Sequence, residues 1–134
     1  MTELVRKKKE TKKSRTKVGT DHEREREIML VEDNWLTHKT QNAHGWEKNK
    51  DIFNMFDILA FKKNRTKLSQ VKTTNLQGCI EKIRQWILKN KDRLPDNLEI
   101  EVALKKYATK RKIERWIIYD IPIDENMPVT KYTR

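Results

Sequence analysis

The chain has few of the residues that staple a fold or cradle a cofactor. It holds one cysteine, Cys79, so no disulfide can close within it, and a reducing, cytoplasmic setting is the expectation. His22, His38 and His44 with Cys79 lack the compact spacing of a zinc site. Its three glycines form no Gly-rich run, which excludes a phosphate-cradling loop and a dinucleotide fingerprint. No Ser-His-Asp arrangement can be assigned, and there is no internal repeat. No apolar run approaches the roughly 18 residues of a membrane-spanning helix. The basic N-terminus has no hydrophobic segment behind it and does not read as a secretory signal. No membrane partner is expected.

Charge is abundant. The 134 residues carry 31 Lys and Arg against 20 Asp and Glu, a net charge of +11. Such a surface attracts polyanions and speeds their encounter, which makes nucleic acid the leading partner. Charged residues (38%) outnumber hydrophobic ones (35%), a balance that could signal disorder. The apolar residues are gathered, however, into Ile52–Phe61, Leu98–Leu104 and Ile113–Ile121. That clustering predicts one folded domain with a modest core.

Three regions follow. Residues 1–17 read as a basic flexible arm in which Arg6, Lys7, Lys8 and Lys9 can either embrace phosphates or simply solubilise the chain. Residues 18–122 form the folded domain, and residues 123–134 read as an irregular tail.

Within the domain, Gly19-Thr20-Asp21 reads as a helix start. Ile28, Val31 and Trp35 recur at helical steps and predict its buried face, with Glu23 and Glu27 along one edge. A short strand over Trp35–His38 and a polar loop follow. Asp51–Phe61 reads as a strand, Lys62-Lys63-Asn64-Arg65 as a hairpin tip, and Thr66–Thr73 as the return strand with one face left open. Leu76, Ile80, Ile83 and Ile87 make the stripe of a second helix ending near Asn90, with Cys79 and Trp86 beside it. Trp86 and Trp116 read as core. Leu98–Leu104 alternates as a strand, and Trp116–Ile121 forms another. A helix between the hairpin and Leu98 permits a parallel crossover, so the expected fold is α/β with a central mixed sheet flanked by helices.

Asp57 lies in the first arm of the hairpin, inside an apolar run where a carboxylate is costly unless it is paired or binds a cation. Gln70 and Lys72, two apart on the return arm, share a face. Asp57, the Gln70 amide and the Val71 carbonyl are hard oxygen ligands suited to Mg²⁺. Lys72 could steady a phosphoryl oxygen, and a helix acid, Glu23 or Glu27, could serve the metal's water. Asp57 could equally be a structural hydrogen-bond acceptor. Lys62, Lys63, Arg65 and Lys67 form a basic hairpin edge that could contact backbone phosphates.

With Phe56-Asp57-Ile58-Leu59-Ala60 as an acid-bearing strand, Gln70-Val71-Lys72-Thr73 as a second motif and Gly19–Glu27 as an opening helix, the chain resembles the PD-(D/E)XK nuclease superfamily, in particular its archaeal Holliday junction resolvase-like branch. The resemblance runs from about Lys17 to Tyr119. It implies a restriction-endonuclease-like core and a Mg²⁺-dependent endonuclease, with Mn²⁺ able to substitute, acting as a homodimer on DNA. Holliday junctions and other branched DNA are the implied substrates. Asp57 then matches the metal-binding aspartate and Lys72 the motif lysine, while Gln70 stands where most members carry an acid. Glu23 is the first choice for the helix acid, with Glu25 and Glu27 as alternates. A DNA-binding module that kept the scaffold and lost catalysis is the alternative, motivated by Gln70.

Overall fold

Among the described residues, six strands follow one another across a single sheet in the order in which the chain makes them. The computed structural model describes residues 15–40, 51–107 and 114–134. Helix α1 (Arg15–Glu32) leads to β1 (Leu36–Lys39), and β2 (Ile58–Lys62) and β3 (Arg65–Lys72) form a hairpin. Helix α2 (Leu76–Asn90) and a 3-10 turn (Lys91–Arg93) connect to β4 (Leu98–Tyr107), β5 (Glu114–Ile121) and β6 (Thr130–Thr133). Neighbouring strands are antiparallel except β3 and β4, which run parallel with Leu68 opposite Ile100 and Gln70 opposite Val102. The long α2 connection makes that parallel pair possible. The fold is therefore α/β, a mixed sheet flanked by two helices.

The two faces of the sheet differ in chemistry. On one, Cys79, Ile83 and Ile87 of α2 pack against Leu68, Ile100 and Val102, as the stripe of α2 predicts. The helix starts after Asn75, which takes the left-handed conformation at φ 56°. Gly78 leaves space for the Asn75 side chain, since a Cβ there would lie 2.9 Å from its Oδ1.

On the other face, α1 docks through a polar anchor. Its buried positions are His22, Arg26 and Leu30, one turn apart. Ile28 and Val31 are 50% and 53% exposed, so the apolar face expected of Ile28, Val31 and Trp35 is replaced, except that Trp35 is buried. The reason lies in the sheet beneath, where Lys67, Ser69 and Glu101 are all buried. Arg26 donates to Glu101 through Nε and Nη2, each at 2.8 Å, and Ser69 Oγ donates to the same carboxylate at 2.7 Å. Burial opposes the Glu101 charge, yet Arg26 and Lys67 outweigh it and hold this carboxyl below its ordinary range.

Four further expectations change. The helix begins at Arg15, so Gly19, Thr20 and Asp21 lie inside it. Asp51–Phe61 is a strand only from Ile58, because Phe53 (φ 52°) and Asn54 (φ 58°) are left-handed and turn the chain back on itself at an Ile52–Phe56 bridge. No face of β3 is open, since Leu68 and Ser69 are both buried beneath helices on opposite sides. The tail is not wholly irregular, because Thr130–Thr133 pairs with β5 and widens the sheet. Residues 1–14, with Arg6, Lys7, Lys8 and Lys9, lie outside the described residues. Among the described residues no helix is long and apolar enough to cross a membrane.

Candidate metal and phosphate site

Asp57 sits just before β2 at a local fault in the ladder. Its N–H donates to the Ser69 carbonyl at 2.8 Å, although Ile58 is the residue registered opposite Ser69. Two residues thus share one partner, which makes a bulge. The bulge resets the alternation of side chains. Ile58 and Ala60 pack on the α1 side, whereas Met55 and Phe56 pack with α2. Asp57 is left at the junction between the faces. Its Oδ2 accepts the Val71 N–H at 2.8 Å, and its carbonyl accepts the Thr40 N–H at 2.9 Å.

From α1, Glu23 faces the same point and acts on the Asp57 carboxyl. Burial pushes Asp57 up to about 8, with Glu23 and Asp51 adding repulsion and the Val71 N–H pulling the other way. The alternate helix acids are engaged elsewhere. Glu25 pairs with Lys105, and Glu27 accepts the Thr37 hydroxyl at 3.0 Å.

Gln70 and Lys72 lie on the α2 side of β3. Cys79 Sγ donates to Gln70 Oε1 at 2.9 Å. Burial pushes the Cys79 thiol up, while the nearby Lys72 charge acts against that and the Asp57 charge with it. Gln70 therefore borders Cys79, and the charges of Lys72 and Asp57 both act on it. This bond between Cys79 and Gln70 was not legible from the apolar helix position of Cys79.

The hairpin cations divide. Lys67 is 7% exposed and sits 3.3 Å from Glu101, so it is withdrawn from any surface that could contact phosphate. Arg65 is committed to Glu99 at 2.6 Å, and Lys62 lies 3.5 Å from Asp33. All three cations surround the Trp35 ring at 4.6–4.8 Å, an arrangement stabilised by the ring quadrupole. Lys63 is exposed at the tip.

The donor set offers two carboxylates that act on one another, Asp57 and Glu23, with the Val71 backbone held at Asp57 and the Gln70 amide next along β3. Among the described residues no group of three or more His, Cys, Asp or Glu side chains could hold a metal ion. Comparisons with protein-family models, with curated proteins and with solved structures return no match for this chain.

Proposed function

We propose that this chain is a metal-dependent endonuclease acting on DNA. The observation that carries the reading is the buried Asp57 carboxyl at the bulged start of β2, held by the Val71 N–H beside the Gln70-Val71-Lys72 end of β3 and acted on by Glu23. A half-buried Glu23 facing a buried Asp57 repels it, and a divalent cation would satisfy both. The donors fit Mg²⁺, since all are oxygens. Asp57, Glu23, Gln70 and the Val71 carbonyl would hold it. The thiol now occupying Gln70 Oε1 is a weak donor that costs little to displace. Bound Mg²⁺ or Mn²⁺ supplies Lewis-acid polarisation of the phosphoryl oxygen and a more acidic water.

The chain's own groups do the rest. The Val71 N–H fixes the Asp57 rotamer, so the carboxylate is oriented before substrate arrives. Lys72 brings a positive charge to the phosphate, where charge grows during displacement. The net charge of +11 draws the DNA in. The hairpin, crossover helix and mixed sheet support a restriction-endonuclease-like core. Branched DNA, Holliday junctions included, is the substrate class that follows from the resolvase-like resemblance, and a two-fold homodimer would present two sites for paired cuts. A second reading, a catalytically silent DNA-binding module, is favoured by one feature: Gln70 contributes no charge and its amide oxygen is engaged by Cys79.

A metal titration of cleavage separates the readings. Gln70→Glu adds a charge to the donor set and should lower the Mg²⁺ concentration needed for half-maximal rate. A parent inert at every Mg²⁺ and Mn²⁺ concentration, beside an active Gln70→Glu variant, selects the silent module. Lys72→Ala should lose on the order of 10²-fold in rate with little change in DNA affinity. Equal losses in rate and affinity would assign Lys72 to binding alone.

A further inference from the structure

The segment that delivers Asp57 carries an expensive feature. Phe53 and Asn54 are consecutive left-handed residues at φ 52° and 58°. Asparagine tolerates this region, whereas a residue as bulky as phenylalanine adopts it only under constraint. Phe53 is also 62% exposed, so burial of its ring does not repay the strain. Strained backbone of this kind gathers at ligand clamps and active sites.

The ring is nonetheless held in place. Its centroid lies 5.1 Å from that of Trp86, tilted by 48°. Trp86 is backed in turn by the buried Phe56, edge-on at 5.4 Å. The surrounding cleft has a volume of 380 Å³ and is lined by Phe53, Met55, Lys82, Gln85, Trp86 and Lys89. Its floor is thus aromatic and its rim carries two cations and no acid. The cleft adjoins the candidate site: Phe53 lies four residues before Asp57, and Lys82 less than one helical turn after Cys79, whose Sγ donates to Gln70 Oε1.

We propose that Phe53, braced on Trp86 and flanked by Lys82 and Lys89, is a stacking platform for an unpaired base of the DNA strand held at the Asp57 site. Aromatic faces stack on any base, and lysines beside them take the adjoining phosphates. A base inside a duplex is already stacked on its neighbours and gains little from such a ring. The platform therefore favours DNA with unpaired bases over continuous duplex. This deepens the nuclease reading and rests on it for the substrate, but its test needs no cleavage.

The test is fluorescence anisotropy of the full chain with a labelled short oligothymidylate and with a blunt duplex, in chelator at fixed salt. Phe53→Asn relieves the backbone and removes the ring. Phe53→Leu keeps an apolar side chain without a flat face, and Phe53→Tyr keeps the face. Both Phe53→Asn and Phe53→Leu should weaken oligothymidylate binding roughly 10-fold. Duplex binding should stay within about 2-fold, Phe53→Tyr should match the parent, and Phe53→Asn should melt no lower than the parent. Unchanged oligothymidylate binding in Phe53→Asn, or equal losses on both DNAs, overturns the platform. Phe53-dependent binding by a parent that cuts nothing overturns the nuclease reading alone. Cleavage by a parent whose DNA binding ignores Phe53 overturns the platform alone.

Discussion

In metal-free buffer near pH 8, Asp57→Asn should melt higher than the parent while losing the ability to cut DNA. Asp57 in the folded chain is pushed from 3.8 to about 8. The folded state therefore holds this proton more tightly than the unfolded state does. The associated stability is complete below about pH 3.8 and is lost as pH rises through 8. Asparagine has no proton to lose, can still accept the Val71 N–H, and can donate to Glu23. A shift of this size corresponds to several kcal/mol at ~1.36 kcal/mol per pH unit. Water penetration and movement of Glu23 relieve part of it, so a gain of about 2 kcal/mol near pH 8 is expected, roughly 5–10 °C in Tm. The difference between the two proteins should vanish toward pH 4. A loss of stability in Asp57→Asn across this range would make Asp57 a structural acceptor.

Arg26→Ala should be the most damaging single change to the fold. Arg26 and Glu101 are both fully buried and joined by two charge-assisted hydrogen bonds. Removing one partner leaves a buried carboxylate with Lys67 and Ser69 alone to answer it. Breaking such a pair costs about 3–5 kcal/mol, a large part of the ~5–15 kcal/mol that keeps a domain folded. Arg26→Lys keeps the charge but not the fork and should lose less. Urea unfolding at constant m-value measures the loss. Stability within about 0.5 kcal/mol of the parent would mean that α1 is held by something other than this pair. Arg26 lies about one turn after Glu23, so the same substitution should also move Glu23 relative to Asp57.

That anchor explains why half of α1 was hidden in the sequence. Apolar periodicity points to Ile28 and Val31, but a helix facing Glu101 needs a cation, and no apolar stripe announces that. By contrast α2 is legible because its buried face is wholly apolar and follows a period of 3.6, and β4 because Leu98, Ile100, Val102 and Leu104 alternate, although Glu101 and Lys105 are buried as well. The apolar run before Ile58 imitates a strand; only the backbone reveals the two left-handed residues that make it a turn. Strand β6 has no apolar alternation and owes its existence to pairing with β5. For the site, Asp57, Gln70 and Lys72 could be named from their setting. Three glutamates remained open for α1, and only partners outside the helix separate them: Lys105 takes Glu25, Thr37 takes Glu27, and Glu23 is left beside Asp57.

The most direct measurement is nicking of a labelled linear duplex and a labelled four-way junction across a Mn²⁺ titration, by the parent and by Asp57→Asn verified as folded by circular dichroism. The parent should cut in a metal-dependent way, with symmetric cuts in the junction, and Asp57→Asn should cut at no Mn²⁺ concentration. A parent that cuts neither DNA, or a folded Asp57→Asn that cuts as fast as the parent, would contradict the nuclease reading.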